Sequence, residues 1–179
     1  MTTACAISYF LSFRAKRGIC ICLTVLSGIA LAQDLPSGWR RPISGETPGE
    51  WRQKSRARFL VVYGDFDGDG KPDTAELLVN PTSSKFALFV RLSSTHKWEP
   101  VSESADVKAL DRCGIDLAKP GEYKTACGKG YSDNACAHGE PDVLKLSTPA
   151  IDFFYTESSD SIFYWDASTR AFREILISD

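Results

Sequence analysis

Several residue types and motifs that enzymes and nucleic-acid-binding proteins depend on are scarce or missing in this chain. Its 179 residues include only two histidines, His96 and His138. Neither a G-x-S-x-G nucleophile motif nor a phosphate-cradling glycine loop occurs, so we expect no enzyme. Basic residues do not outnumber acidic ones, with 21 Lys and Arg against 23 Asp and Glu. Because nucleic-acid binding needs clustered positive charge, we expect no nucleic-acid partner.

A long apolar run is also absent. The one apolar stretch, residues 18–32, is shorter than the ~20 residues that span a bilayer. Three basic residues precede it, and it ends in the tripeptide Ala-Leu-Ala. A basic segment, a short apolar core and an A-x-A site are the parts of a secretory signal peptide, and a membrane anchor is the alternative. We therefore predict a signal peptide over residues 1–32, a periplasmic or secreted protein, and no stable membrane insertion after cleavage.

The chain after residue 32 is expected to hold an arm, a short helix and a single domain. Residues 33–46 contain two prolines and two glycines, which predicts an extended arm. Thr47 followed by Pro48, with Glu50 three residues after the threonine, is typical of a helix start and predicts a short helix from Pro48 to about Ala57. Residues 47–179 are predicted to form one β-rich domain.

Short runs of β-branched and aromatic residues dominate that domain, and turn-forming clusters separate them. The pattern predicts a mostly β protein whose antiparallel meanders form a compact sandwich or a degenerate propeller-like sheet. The last thirty residues or so predict a three-stranded meander, because their spacers are short enough for hairpins. Residues 111–142 are rich in glycine and proline and predict a long irregular loop.

Three cysteines follow residue 32, namely Cys113, Cys127 and Cys136. One disulfide and one leftover thiol is the simplest arrangement in an oxidising compartment. Cys127 and Cys136 bracket a Gly/Ser/Asp/Asn-rich stretch that could close a small ring, and we favour that pair over a pairing with Cys113. Zinc ligation by Cys127, Cys136 and His138 is the competing hypothesis, although it lacks an evident fourth ligand.

The most unusual segment is GDFDGDGKPDTAELLV, residues 64–79. Numbered from Asp65 as position 1, it places aspartates at positions 1, 3, 5 and 9 and a glycine at position 6. Alternate side chains can converge on one point, and the Lys71 carbonyl can add an oxygen. Hard oxygen ligands favour Ca²⁺ over Zn²⁺. The simpler interpretation is a solvated Asp-Gly turn, since both residues favour turns.

Glu76 stands at position 12, which completes the spacing of an EF-hand loop. An EF-hand needs a helix on each side, whereas the flanking apolar runs favour strands. The segment instead resembles the calcium loop of FG-GAP or VCBS-type repeats, as in integrin α-chain propellers, where such a turn joins two strands. The resemblance implies these Ca²⁺ ligands: Asp65, Asp67, Asp69, the backbone carbonyl of Lys71, and Asp73. Glu76 is a further candidate ligand. A complete propeller of such repeats is excluded, because it needs several blades of about forty residues and only one loop is present.

Six aromatic residues occur on two of the predicted C-terminal strands. The simpler interpretation is a sheet that is buried on both sides. The alternative is an exposed strip for a protein or glycan partner, for which we select Phe154, Tyr164 and Trp165.

Together these features predict an exported, calcium-stabilised β-domain that acts by binding, as an inhibitor or immunity-like protein. The alternative hypothesis is a calcium-dependent hydrolase acting on cell-wall or surface polymers. A deep cleft lined by two carboxylates or by a Ser/His pair, remote from the aspartate loop, would favour the hydrolase. A flat or protruding surface built from residues 111–142 would favour the binder.

Overall fold

The computed structural model describes residues 35–131, 136 and 139–178. In these residues the protein is mostly β, with antiparallel sheets, which confirms the predicted fold class. The predicted signal peptide, residues 1–32, and the candidate ligand His138 lie outside the described residues.

The first sheet is built from the N-terminal half of the domain. Its strands are β1 (Val61–Gly64), β2 (Asp73–Asn80), β3 (Lys85–Arg91), β4 (Trp98–Pro100) and β5 (Ala105–Asp106). The first four pair in chain order, and β5 adds to β3. Strand β2 is central and is buried on both faces along most of its length.

The second sheet and a separate hairpin follow. The remaining strands are β6 (Cys113–Ala118), β7 (Gly121–Lys124), β8 (Val143–Leu146), β9 (Ala150–Tyr155), β10 (Asp160–Asp166) and β11 (Ala171–Ser178). The second sheet has the order β11-β10-β9-β6, while β7 and β8 pair only with each other. The predicted three-stranded meander is therefore confirmed. The predicted irregular loop over 111–142 is wrong in part, because it contains β6, β7 and a four-residue helix, α1 (Ala126–Lys129).

The two sheets share one apolar core. Alternate side chains of β2 and β3, among them Leu77 and Leu88, contribute to the same buried cluster as Ile115, Ile151 and Phe163 of the second sheet. Each fully buried large apolar side chain of this kind contributes roughly 1.5–3 kcal/mol to folding. The arrangement is that of a sandwich-like fold.

The segment before β1 packs more closely than predicted. Leu35 and Trp39 cover Leu78 and Phe89 on the outer face of the first sheet, and the rings of Trp39 and Phe89 lie 4.7 Å apart. Arg40 forms a bridge with Val79 that continues the pairing of β2 beyond β1. The predicted extended arm is therefore part of the domain.

The predicted helix is shorter than expected and of a different type. A 3-10 helix occupies Glu50–Lys54, with Gly49 as its N-cap, and two others cover Ser44–Glu46 and Val107–Asp111. The Thr47 hydroxyl donates to the carbonyl of Ile43, 3.4 Å away, and is not used as the helix cap. The segment therefore begins without the predicted side-chain cap and makes only the tighter 3-10 turns.

Candidate metal centre

The aspartate loop joins two strands, as the flanking residues predict. Residues 65–72 connect β1 to β2, and the ladder closes at the base of the loop, where Gly64 pairs with Asp73. Gly68 and Gly70 have φ values of 77° and 83°, a left-handed backbone that glycine adopts without strain. The loop is therefore a long hairpin connection between paired strands, without the two helices of an EF-hand.

Phe66 anchors the loop to the core. Its side chain is fully buried between the sheets, and its ring packs edge-on against Phe172 of β11, with centroids 6.3 Å apart. Its carbonyl accepts a hydrogen bond of 3.1 Å from the Thr148 hydroxyl, which belongs to the turn between β8 and β9. Elements of both halves of the domain therefore hold the loop in place.

Three of the predicted ligands converge. Asp65, Asp67 and Asp73 each offer a carboxylate oxygen, and these oxygens all lie within 4.8 Å of one another. Asp73 is buried, whereas the other two are half-buried. Like charges held this close destabilise one another unless a cation or a proton intervenes.

The Asp73 carboxylate is held firmly. One oxygen accepts the backbone N–H of Phe66 at 2.8 Å, and the other accepts that of Ser93 at 2.7 Å. Burial raises the pKa of the Asp73 carboxyl and the charge of Asp67 adds to this, while backbone N–H donors of Ser93, Phe66 and Asp67 oppose it. Backbone donors therefore fix the orientation of the Asp73 carboxylate at the base of the loop.

Asp65 provides the test of whether the residues fit a cation. Its Oδ2 accepts the backbone N–H of Gly70 at 2.9 Å, but its Oδ1 is shielded from solvent and has no donor among the described residues. A buried acceptor left without a partner costs about 1–3 kcal/mol. A hard cation among the three carboxylates would complete the coordination of this oxygen, so the donor set fits Ca²⁺.

Asp69 lies outside the group of converging carboxylates. Asp69 accepts the backbone N–H of Lys71 at 2.8 Å and the hydroxyl of Ser93 at 3.1 Å. The Lys71 ammonium lies 4.0 Å from the same carboxylate. Ligation by Asp69 and by the Lys71 carbonyl stays a prediction.

The structure places Glu76 away from the other candidates. Both of its carboxylate oxygens accept hydrogen bonds from Arg41, at 2.8 Å each. Glu76 lies an odd number of residues after Asp73 on the same strand, and side chains alternate between faces along a strand. It therefore points to the outer face of the first sheet, whereas position 12 of an EF-hand lies on a helix that brings it back to the ion.

Sequence reasoning missed two serines that contact the loop. Both belong to the turn after β3. Ser93 donates to Asp73 and Asp69, and the Ser94 hydroxyl lies 3.1 Å from Asp67. The pairing of Thr74 with Arg91 places this turn beside the base of the loop. A hairpin prediction for β2 and β3 would have located it, because the end of β3 must lie beside the start of β2.

The predicted disulfide is present. Cys127 and Cys136 are bonded, with their Cα atoms 5.0 Å apart, so neither sulfur is available as a thiolate for zinc. Cys113 is buried and free, and burial raises the pKa of its thiol to about 12.

The structure does not bring the three selected aromatic residues into one strip. Each is half-buried. Trp165 packs into the core between the sheets, Tyr164 against a second cluster on the other side of the sheet, and Phe154 against Trp51 and Phe59. The cause is strand alternation, which sends neighbouring side chains of β10 to opposite faces.

A groove lies apart from the aspartate loop. It has a volume of about 510 Å³ and is open to solvent, and Trp51, Lys54, Asp111 and Glu157 are among its lining residues. With Arg112 also in the lining, the groove combines one aromatic ring, two cations and two carboxylates.

Comparison with known proteins gave no match: no family model fits the chain, and no curated protein and no solved structure is similar to it. The resemblance to FG-GAP and VCBS-type loops stays a prediction. Within the described residues, no helix has the length and apolar character required to cross a membrane.

Proposed function

We propose that this chain is an exported β-domain stabilised by Ca²⁺ and that it acts by binding a protein or glycan partner, as an inhibitor or immunity-like protein. The observation that carries the metal part is the cluster of Asp65, Asp67 and Asp73, in which one oxygen of Asp65 is shielded and lacks a donor. Export rests on the signal-peptide pattern of residues 1–32.

The donor chemistry supports calcium over transition metals. The converging atoms are all carboxylate oxygens, and Ca²⁺ takes six to eight oxygen ligands in adaptable geometry. A bound cation would supply the positive charge that offsets repulsion among the three carboxylates. Backbone N–H donors orient both carboxylates: they hold both oxygens of Asp73 and one oxygen of Asp65.

The setting of the loop supports a structural role over a sensor role. Sensor EF-hands respond to Ca²⁺ by changing the angle between two helices. Here paired strands flank the loop, and Phe66 fixes it to the core. Occupancy would therefore stabilise the folded domain without moving a helix.

Thermal unfolding and calorimetric titration with Ca²⁺ test the metal part. Extracellular calcium modules bind with Kd of about 10⁻⁴–10⁻³ M, and Ca²⁺ at about ten times Kd adds on the order of 1.4 kcal/mol of stability. We expect chelation by EDTA to lower Tm and Asp67→Ala to abolish the difference. Glu103→Gln, which neutralises an exposed carboxylate outside the loop, should respond like wild type. Identical melting curves with and without Ca²⁺ in wild type would contradict the proposal.

The binding part is tested separately. The immobilised domain is incubated with periplasmic extract, and a captured protein is identified, purified and titrated against the domain. We expect a saturable one-to-one complex whose affinity falls in EDTA. A captured protein that fails to bind in purified form would contradict the binder hypothesis.

A calcium-dependent hydrolase is the second candidate, and the groove beside Trp51 is the observation in its favour. Asp111 and Glu157, both exposed, line this groove at a distance from the metal loop. The test is release of soluble fragments from cell-wall polymers by wild type and by the double variant Asp111→Asn, Glu157→Gln. Release that is lost in the double variant would favour the hydrolase over the binder.

A further inference from the structure

The turn after β3 makes three hydrogen bonds to the aspartate loop. The backbone N–H of Ser93 donates to Asp73 at 2.7 Å, and its hydroxyl donates to Asp69 at 3.1 Å. The hydroxyl of Ser94 donates to Asp67 at 3.1 Å. The turn is itself closed by a bond of 2.9 Å from the His96 N–H to the Leu92 carbonyl.

These contacts reach the carboxylates from outside the loop. Asp67 and Asp73 belong to the converging group, whereas Asp69 lies beside it. A hydroxyl that donates to one position of a carboxylate restricts its rotation and leaves other lone pairs free. Groups that orient metal ligands in this way typically change metal affinity by 10–100-fold when they are removed.

We propose that Ser93 and Ser94 are positioning residues of the metal centre, so that cation binding at the aspartate loop is coupled to the conformation of the turn at residues 92–96. The inference rests on the calcium site of the proposed function. It extends that site from one loop to two. The aspartate loop would supply the ligands, and the turn at residues 92–96 would orient them.

The coupling acts in both directions. The Ser94 hydroxyl orients Asp67 for the cation. A bound cation in turn holds Asp67 and Asp73 in the positions where they accept the hydrogen bonds of the turn. By linkage, if ordering of the turn raises the affinity for the cation by some factor, cation binding favours the ordered turn by the same factor. The turn at 92–96 is consequently a part of the surface that should respond to Ca²⁺.

The experiment compares wild type, Ser94→Ala, Ser94→Thr and Ser83→Ala. Ser83 is a matched control, because it is exposed in the hairpin turn at the opposite end of β2 and β3, and its backbone N–H bonds to Asn80. We expect calorimetry to show Kd for Ca²⁺ about tenfold weaker in Ser94→Ala. Ser94→Thr, which keeps the hydroxyl, should restore the affinity, and Ser83→Ala should match wild type.

Hydrogen exchange measures a second quantity, the protection of the turn by Ca²⁺, which a merely structural role for Ser94 would leave unchanged. In wild type, Ca²⁺ should slow exchange in a peptide covering 92–97, and Ser94→Ala should reduce this protection. A purely structural serine would lower Tm equally with and without Ca²⁺ and leave Kd unchanged. Wild-type Kd and wild-type protection in Ser94→Ala would overturn the inference while the calcium site stands. Absence of Ca²⁺ binding by wild type would overturn the inference and the metal proposal together.

Discussion

Both carboxylate oxygens of Glu76 accept hydrogen bonds from the guanidinium of Arg41, at 2.8 Å each. The Glu76 side chain is only 5% exposed, whereas that of Arg41 is 59% exposed. Arg41, in the segment before β1, therefore pairs with a buried carboxylate on the outer face of the first sheet. Glu76 thus has a partner other than a metal.

Replacing Arg41 with Met should leave this buried carboxylate without its counterion. Breaking a fully buried pair costs about 3–5 kcal/mol, but solvent reaches Arg41, so we expect a loss of about 1–2 kcal/mol in the free energy of unfolding. Urea denaturation measures it. Glu76→Gln provides the companion test, since it should leave Kd for Ca²⁺ unchanged. Weakened Ca²⁺ binding by Glu76→Gln would show that Glu76 is a ligand after all.

A second arginine stabilises the chain by a different route. The guanidinium of Arg52 is fully buried and donates to the backbone carbonyls of Arg58, Leu110 and Cys113. Arg58 and Phe59 have φ values of 57° and 55°, a left-handed backbone that costs non-glycine residues energy. Burial lowers the pKa of Arg52 to about 10, which still leaves it protonated at neutral pH.

Arg52→Lys should therefore be strongly destabilising although it keeps the charge. A lysine ammonium cannot reproduce the planar fork that serves three carbonyls, and unpaired buried acceptors cost about 1–3 kcal/mol each. We expect urea denaturation to show a loss of about 2–4 kcal/mol. Arg56→Lys, at an exposed position of the same segment, should stay within about 0.5 kcal/mol of wild type. Equal stability of Arg52→Lys and wild type would contradict this role.

The disulfide closes the segment between β7 and β8. The Thr125 hydroxyl donates to the Pro141 carbonyl at 2.7 Å, and its N–H donates to that of Asp142 at 3.0 Å, so both ends of the segment are already held. Cys127 and Cys136 are nine residues apart, and a crosslink over a loop of this size stabilises by about 2–3 kcal/mol.

Cys127→Ser with Cys136→Ser should lower the free energy of unfolding by about that amount in urea denaturation. Peptide-resolved alkylation supplies the control. Cys113 is buried and its thiol pKa is raised to about 12, so iodoacetamide should label it only after unfolding. A double variant as stable as wild type would show that the bonds at Thr125 suffice to hold the segment.

Local spacing accounts for the parts of the structure that were predicted correctly. Four aspartates, two glycines and two flanking apolar runs lie within one segment of sequence, so the hairpin loop could be recognised without tertiary information. The three-stranded meander was equally local, because short polar spacers separate its strands.

The parts that were missed depend on contacts between distant segments. Strand β6 begins Cys-Gly and lies in a glycine-rich region, and it becomes a strand through its pairing with β9. The contacts of Ser93 with the loop depend on the register of β2 and β3. Glu76 was misleading because EF-hand spacing assumes a helix, whereas alternation on a strand turns position 12 to the opposite face.

Asp152 and Asp160 form a carboxyl pair on neighbouring strands of the second sheet. Asp152 pairs with Ile162 of β10 on one side and with Asp116 of β6 on the other. One oxygen of Asp152 and one of Asp160 are shielded from solvent, and neither has a donor among the described residues. Burial raises the pKa of the Asp152 carboxyl to about 8, and the hydrogen bond and charge of Asp160 and the charge of Asp116 add to this. A pKa of about 8 favours the protonated form of Asp152 at neutral pH.

The sign of the pH dependence follows from this raised pKa. An unfolded aspartate has a pKa of about 4 and loses its proton near that pH. Between about pH 4 and pH 8 the folded state therefore binds one proton more than the unfolded state. The stability that the protonated pair contributes is fully present below about pH 4 and is lost as the pH rises to about 8. Wild type should accordingly lose stability from about pH 5 to about pH 8 in urea denaturation, with no further loss from this group above that.

Asp152→Asn should flatten this dependence, because an amide donates a hydrogen bond to Asp160 at every pH and carries no charge. Asp166 offers a control of opposite sign. Hydrogen bonds from Ser168 and the charge of Arg173 lower the pKa of its carboxyl to about 2, so its contribution is lost only in acid, below about pH 4. Asp166→Asn should therefore keep the wild-type slope between about pH 5 and pH 8. An unchanged slope in Asp152→Asn would show that Asp152 is ionised in the folded protein.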